Sequence, residues 1–192
     1  RDVCYAIAVD ADGSSYVTGV LSGDPNGGDA DLTGAFVGKF DVDGNRAWLA
    51  STGATVPDYG HAVAVAEDGS IRLAGSAHNA FMPTSPGPSD VFVSRLDSQG
   101  DLVWTSQLAT EQTDFPCSLV IDAEGSTYVS GFTEDELVGT SSGSIDAFLA
   151  KFDADGDNTW TIQLGTTGQD NATGVAVDAA GSVYIAGGVD GN

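Results

Sequence analysis

Basic residues are scarce in this sequence. Six lysines and arginines stand against 28 aspartates and glutamates, which gives a formal net charge of −22 over 192 residues. A surface this acidic repels phosphate backbones and anionic lipid headgroups. We therefore expect neither nucleic acid nor a membrane surface as a partner. Divalent cations, a cationic partner and simple solubility in a salty medium are the uses of the charge that stay open.

Cysteines and long hydrophobic runs are also scarce. No apolar stretch approaches the roughly 18 residues that span a bilayer, so we expect no membrane insertion. Cys4 and Cys117 are the only cysteines. They occupy different phases of the repeat described below, and we interpret them as two small buried thiols rather than a disulfide. The chain starts at Arg1 without a methionine or signal sequence, from which we expect an excised or processed portion of a longer protein.

The motifs of common enzymes are missing as well. The two histidines, His61 and His78, lie in unequal phases of the repeat, and no serine nucleophile elbow, histidine metal motif or phosphate-binding loop occurs. The sequence therefore predicts no catalytic residue and a protein that is not an enzyme. A pair of acids for glycosidic hydrolysis stays open, because distances in space cannot be read from the sequence.

Glycine, in contrast, is abundant and periodic. The chain repeats itself every 56 residues without insertion or deletion, and several glycine and tryptophan series share this spacing. The two clearest series are Gly13, Gly69, Gly125, Gly181 and Trp48, Trp104, Trp160. A period of this size indicates a propeller, solenoid or array. We divide the chain into one array with blade 1 at 5–60, blade 2 at 61–116, blade 3 at 117–172 and half of blade 4 at 173–192.

Each unit reads as four short strands. Apolar runs of four to seven residues alternate with turn residues, and none shows a helical period. Two links per unit are tight Asp-to-Gly turns, such as Asp10–Gly13, and the other two are long. By alternation, the tight turns share one end of the unit and the long links share the other. The sequence thus predicts an all-β fold, a β-propeller arc of antiparallel four-stranded blades, with the tryptophans packed between neighbouring blades.

Residues 146–187 resemble a known repeat. The segment Asp146-Ala-Phe-Leu-Ala-Lys-Phe152 is followed by Gly156, Trp160, Gly165 and Asp170, and then by residues 177–187. This pattern resembles the bacterial β-propeller repeat family named after seven-bladed propellers, and the likeness extends over essentially the whole chain. The Asp-x-x-Gly-x-x-x-Trp part is also similar to the tryptophan-docking repeats of quinoprotein-like propellers.

The resemblance implies a secreted or cell-surface repeat module within a larger modular protein, with no shared catalytic residue. Three positions depart from the pattern: Ala66 replaces the recurrent aspartate, Arg72 replaces the tyrosine, and Gly34 replaces the aspartate before the third strand. Propellers close with four to eight blades, so we expect the remaining blades to come from the parent chain or from another copy.

Acidic turns are the first candidate for a binding site. Asp153, Asp155 and Asp157 form the richest of them, and we select these three residues as ligands if calcium binds at all. Ordinary turn chemistry explains the same residues without a metal. Calcium is accordingly the one cofactor considered, and a calcium-stabilised or calcium-dependent propeller is an alternative function.

Two further series recur at equivalent positions. Aspartates precede the first strand of each unit at Asp2, Asp58, Asp114 and Asp170. We expect them to order loops through backbone amides, and a ring of carboxylates that attracts a cation is the alternative. Three of the six basic residues also share one phase: Lys39, Arg95 and Lys151. We expect each to pair with an acidic turn.

The leading functional hypothesis is a non-enzymatic extracellular binding or scaffold module, whose long links contact a protein or carbohydrate partner. A hydrolase or lyase with an acidic site at the channel mouth is an alternative from another class.

Overall fold

The computed structural model describes residues 2–23, 33–51, 58–78, 87–139 and 142–191. Within these ranges all regular structure is β-strand, as the alternating apolar runs predict. The fourteen strands are β1 Val3–Val9, β2 Ser15–Ser22, β3 Thr33–Phe40, β4 Arg46–Ser51, β5 Tyr59–Val65, β6 Ile71–Ala77, β7 Asp90–Leu96, β8 Leu102–Leu108, β9 Asp114–Ile121, β10 Thr127–Thr133, β11 Asp146–Phe152, β12 Asn158–Leu164, β13 Gln169–Val177 and β14 Val183–Asp190.

The strands form three four-stranded sheets and one two-stranded sheet. Each sheet follows chain order, with β1 to β4, β5 to β8, β9 to β12 and β13 to β14 as hydrogen-bonded neighbours, and every pairing is antiparallel. This meander is the blade of a β-propeller, and the predicted fold class is confirmed. We call these the first to fourth sheets.

The sheets begin slightly before the predicted blade boundaries. The first strands start at Val3, Tyr59, Asp114 and Gln169, a few residues ahead of 5, 61, 117 and 173. The extra residues pair with the end of the second strand, for example Tyr59 with Ser76. Sequence patterning missed them because a β-bulge interrupts the alternation of side chains at this point.

Tight turns define one end of every sheet, which we call the turn end. In the first turn, the Gly13 N–H donates to the Asp10 carbonyl oxygen at 3.1 Å, and the Asp10 carboxylate accepts from the amides of Asp12 and Ser14. Gly13 has a φ of 85°, which only glycine adopts without strain. The long links leave the opposite end, which we call the link end.

Apolar cores lie between the sheets. Tyr16 and Val37 of the first sheet pack with Ile71 and Phe92 of the second. A second core joins the second and third sheets in the same way. Each unit therefore buries its apolar side chains against its neighbour, as expected for stacked repeats.

Tryptophans pack at these inter-sheet contacts near the turn end. A Cβ added to Gly100 would lie 2.9 Å from the Trp48 ring, and one added to Gly156 would lie 2.7 Å from the Trp104 ring. Each indole of the first and second sheets thus covers a turn glycine of the next sheet. Trp160 is half-buried and lies beside Tyr128 of its own sheet, with 6.0 Å between ring centroids.

The described part of the chain contains no helix with the length and apolarity needed to span a membrane.

Candidate functional site

A β-bulge recurs in the first strand of every sheet. In β1 the pairing with β2 skips Tyr5, and in β5 the pairing with β6 skips His61. The equivalent skipped residues are Cys117 in β9 and Thr173 in β13. We call these four residues the bulge row. Bulges redirect a side chain and are frequent beside functional sites. Here the backbone feature is constant while the side chain changes in every sheet.

Aromatic rings surround the bulge row at the link end. Six rings form one connected group, which we call the aromatic cluster; its members are Tyr5, Tyr59, His61, His78, Phe115 and Phe132.

His61 lies at the centre of the aromatic cluster. Its ring centroid is 5.4 Å from that of Tyr5 and 4.2 Å from that of Phe115. Tyr5 belongs to the first sheet and Phe115 to the third, so the cluster crosses two inter-sheet contacts. Tyr5 is 49% exposed and the other members are half-buried. The cluster therefore presents ring surface to solvent at the end where the long links attach.

Its electrostatic surroundings keep His61, the central ring of the cluster, neutral. Burial, with a smaller contribution from nearby His78, lowers the pKa of His61 to about 4. The His61 Nε2 atom lies 2.8 Å from the Ser76 hydroxyl. Burial also raises the pKa of the Cys117 thiol, which disfavours the thiolate that a cysteine nucleophile requires. The cluster is suited to packing and hydrogen bonding more than to acid–base chemistry.

The recurrent aspartates at the starts of the first strands accept backbone hydrogen bonds. Asp114 and Asp170 each accept a 2.6 Å bond from a link amide, of Thr110 and Thr166 respectively. Asp58 accepts from the His78 amide at 3.3 Å. Asp58, Asp114 and Asp170 are at most 2% exposed, so they do not form an exposed ring of carboxylates.

Sequence reasoning missed a second set of buried acids. Asp90, at the start of β7, is fully buried. Burial raises the pKa of Asp114 to about 6, as it does for Asp58, and the charge of Asp90 adds a smaller contribution. The third sheet has an equivalent buried aspartate, Asp146, next to Ile145, whose carbonyl oxygen accepts from the Asp170 amide at 2.9 Å at the start of the fourth sheet. The aspartate in the Asp-Ala-Phe pattern is the signal that could have revealed it.

The basic series lies at the turn end. The ammonium groups of Lys39 and Lys151 are 3.9 Å and 3.6 Å from the carboxylates of Asp10 and Asp122 in their own sheets. Arg95 lies 3.6 Å from Asp68. A tyrosine hydroxyl is the main cause that raises the pKa of each lysine. These contacts are partly exposed and belong to the turns rather than to the aromatic cluster.

The turn selected for calcium has the same geometry as its counterparts. The Asp153 carboxylate accepts from the amides of Asp155 and Asp157 at 3.0 Å and 2.9 Å. Among the described residues, no three histidine, cysteine or acidic side chains are grouped to hold a metal ion. Both hydrogen bonds end on the same oxygen of Asp153, and the structure does not bring Asp153, Asp155 and Asp157 together as a ligand set.

The two cysteines carry no disulfide. Cys4 is exposed and Cys117 is intermediate in exposure. The expectation that both thiols are buried is wrong for Cys4, since β1 lies at the edge of the array and its outer side is not covered by a described residue. Much of the predicted loop contact surface, at 24–32, 52–57, 79–86 and 140–141, lies outside the described residues.

Comparison with known sequences identifies the repeat. Residues 159–188 match a family model described as a beta-propeller repeat. The chain is 30% identical over 110 residues to the regulatory protein FlaEY of Caulobacter vibrioides, covering 53% of this chain and 12% of that protein. It is 25% identical over 122 residues to an uncharacterized WD repeat-containing protein of Acanthamoeba polyphaga mimivirus, covering 54% and 9%. The matched regions thus span about a tenth of these relatives.

Comparison with solved structures supports the fold alone. A crystal structure of a protein of unknown function from Bacteroides caccae superposes with a TM-score of 0.58 at 12% identity, covering 96% of this chain and 53% of that one. The sheet topology, the family match and this superposition agree. The chain carries the β-propeller repeat that its sequence predicts, and it folds as a β-propeller module.

Proposed function

We propose that this module is a non-enzymatic binding or scaffold unit that works outside the cell and contacts its ligand through the link end. The observation that carries the proposal is the aromatic cluster, a connected set of partly exposed rings on a repeated bulge. Rigid scaffolds usually bind through the loops and strand ends where sequence varies most. The link end consists of such loops and strand ends, and the side chains of its bulge row differ from sheet to sheet.

A neutral carbohydrate is the ligand class that the cluster fits best. Half-exposed tyrosine rings offer flat apolar surface, as sugar rings require, together with hydroxyl groups for hydrogen bonds. The lowered pKa of His61 keeps its imidazole neutral at physiological pH. An anionic ligand is disfavoured by the net charge of −22. A protein partner with an apolar patch is the second candidate, supported by the same exposed rings.

The arrangement of the side chains does not favour catalysis. The burial of Asp58 and Asp114 removes them from a channel mouth where a hydrolase or lyase would need its acids. Cys117 favours its neutral thiol form. A binding module therefore fits these side chains better than a hydrolase or lyase does.

The fourth sheet exposes a face that is covered in the other sheets. The tyrosine of the fourth sheet, Tyr184, is 58% exposed, whereas its counterparts Tyr16 and Tyr128 are covered by the neighbouring sheet. We propose that further blades, from the parent chain or from another copy, cover this face and complete a ring.

Binding to an array of neutral glycans tests the proposal. We expect the chain to bind a subset of them, and a Tyr5→Ala variant to lose at least about tenfold in affinity, which corresponds to about 1.4 kcal/mol. Tyr184→Ala is the matched control, since it removes an exposed tyrosine at the turn end. If no glycan binds, the carbohydrate assignment fails; if both variants lose affinity equally, the link end is not the binding surface.

Calcium titration tests the alternative. Because the Asp153 carboxylate is engaged by backbone amides, we expect no rise in melting temperature at millimolar calcium. A rise that disappears in Asp155→Asn would instead support a calcium-dependent propeller.

A further inference from the structure

The fourth sheet has two strands, whereas the other three sheets have four. Among the described strands, β14 pairs with β13 alone, while its counterparts β2, β6 and β10 are each hydrogen-bonded to two neighbours. All seven residues of β6 are buried, but β14 exposes Tyr184 at 58% and Val189 at 72%. Within the described residues, β14 therefore has an unpaired edge, and such an edge is a template for pairing with another segment.

In every four-stranded sheet, a phenylalanine of the third strand pairs with a glycine of the second strand. The pairs are Gly19 with Phe36, Gly75 with Phe92, and Gly131 with Phe148. A Cβ added to Gly131 would lie 2.8 Å from the Phe148 ring, so the absence of a side chain on the glycine makes room for the ring. The equivalent residue of β14 is Gly187. β14 thus carries the glycine half of this contact.

A cavity of about 370 Å³ lies between the third and fourth sheets and is lined by Gly187. In the preceding inter-sheet contact, three apolar residues share a core with Phe148: Val91, Leu108 and Val129. Their counterparts 56 residues later all line the cavity: Ala147, Leu164 and Ile185. The one acid in its wall, Asp170, already accepts a 2.6 Å hydrogen bond from the Thr166 amide. The cavity therefore has the apolar wall that surrounds a phenylalanine ring in the preceding contact.

The third strand also supplies a cation to the second strand. Lys151 pairs with Tyr128, and its ammonium group lies 5.0 Å from the centre of the Tyr128 ring and 3.6 Å from the Asp122 carboxylate. The first sheet has the same arrangement.

The fourth sheet has the tyrosine and the aspartate of this arrangement. The Tyr184 hydroxyl donates to the Asp178 carboxylate at 3.0 Å, but the ion pairs of the described residues do not include Asp178. Lys151 lines a cavity that Asp178 also lines, yet its ion-pair partner is Asp122 of its own sheet. A lysine opposite Tyr184 would complete the charge pattern of the other sheets.

We propose that the unpaired edge of β14 binds an extended peptide segment that carries a phenylalanine and, three residues later, a lysine. In the register of the complete sheets, the phenylalanine lies opposite Gly187 and the lysine opposite Tyr184. Strand addition of this kind takes its affinity from main-chain hydrogen bonds and its specificity from side-chain pockets. This inference rests on the proposal that a further segment covers this face, and it names the chemistry of that segment.

A labelled peptide with the sequence of residues 144–155 tests the proposal, because it contains the phenylalanine and the lysine at this spacing. Fluorescence anisotropy should show binding to the chain with a dissociation constant below about 1 mM. The Phe148→Ala peptide should bind at least about tenfold more weakly, because it removes the ring that enters the apolar cavity. A peptide of the same composition in scrambled order is the control and should not bind.

A double-mutant cycle tests the predicted register. The Lys151→Met peptide should bind about threefold more weakly than the unchanged peptide, since a partly exposed ion pair contributes little. In the Asp178→Asn chain, the two peptides should bind equally, because the carboxylate that distinguishes them is gone. An undiminished difference in this variant would show that the lysine does not reach Asp178, and would overturn the register.

Hydrogen exchange locates the peptide without any change to the chain. Bound peptide should slow amide exchange in β14 more than in β12, the outer strand of the third sheet. Absence of binding at 1 mM peptide, equal binding of the scrambled or Phe148→Ala peptide, or protection confined to β12 would each overturn the proposal. Glycan binding is measured separately through Tyr5 of the first sheet, so failure of the peptide and failure of the glycan are distinguishable.

Discussion

The turn end and the link end differ in which structural features recur from sheet to sheet. At the turn end, the side chains and the backbone recur together: the glycines that close the first turns have φ values between 79° and 85°, and three of the four turns open with an aspartate. At the link end, the bulge recurs while its residue is tyrosine, histidine, cysteine or threonine. Repeated side chains maintain the fold, and varied side chains on a repeated backbone are available for recognition.

The largest effect is expected where an indole covers a turn glycine. Trp104→Ala should destabilise the chain by about 2 to 4 kcal/mol, because it removes a large ring from an inter-sheet contact together with its 3.0 Å hydrogen bond to the Ala154 carbonyl oxygen. Urea denaturation followed by circular dichroism measures this. Trp160→Ala is the matched control. It should destabilise the chain less than Trp104→Ala does, since no described turn glycine lies under that ring. Equal costs would contradict the inter-sheet role of the indole.

The buried acids at the link end should give an unusual pH dependence. The pKa of Asp58 and of Asp114 is about 6, above the ordinary value of 3.8, so folding favours their protonated forms. The stability that each acid contributes to the folded state is fully present below about pH 4. It is lost as the pH rises through 6, and it amounts to at most about 2 kcal/mol for each group. His61 has the opposite effect: the folded protein loses stability as the pH falls from about 6.5 to 4, because folding lowers the pKa of this imidazole. Two acids against one histidine should make the chain more stable at pH 5 than at pH 7.

Melting curves of Asp114→Asn across this range test the explanation. The amide stays neutral, so the variant should be more stable than the unmodified chain at pH 7 and should vary less with pH. An unchanged pH profile would show that Asp114 is ionised in the folded protein throughout.

A smaller effect is expected for the lysines of the turn end. Lys151→Met should destabilise by less than about 1 kcal/mol, because the 3.6 Å contact with Asp122 is partly exposed and salt weakens it. Comparing melting temperatures at low and high salt checks this. A loss that does not depend on salt would indicate that the stem of Lys151 packs rather than pairs.

Much of the fold could be predicted from the sequence, because local patterns carry it. The spacing of Gly13 and its counterparts, and the alternating apolar residues, were enough for four-stranded antiparallel blades. The bulge row was not predictable in this way, because Tyr5, His61 and Cys117 share a phase without any local sign of a bulge. Contacts between sheets were equally hidden, and the coupling of Asp90 to Asp114 is an example. Such contacts depend on how neighbouring units stack, which a one-dimensional pattern does not encode.

The smallest effect on stability is expected at the exposed part of the link end. Tyr5→Ala should change the free energy of unfolding by no more than about 0.5 kcal/mol, because the side chain is half exposed and lies on a bulge outside the strand pairing. Urea denaturation checks this. A larger loss would mean that Tyr5 supports the fold, which would weaken the distinction between the two ends.

Glycan binding by Tyr5→Ala and Tyr184→Ala, measured side by side on the folded variants, decides whether the link end is the recognition surface. We expect affinity to be lost in Tyr5→Ala and retained in Tyr184→Ala, because only Tyr5 belongs to the aromatic cluster. Retained binding in Tyr5→Ala, or loss in Tyr184→Ala alone, would contradict the claim that the link end is the recognition surface.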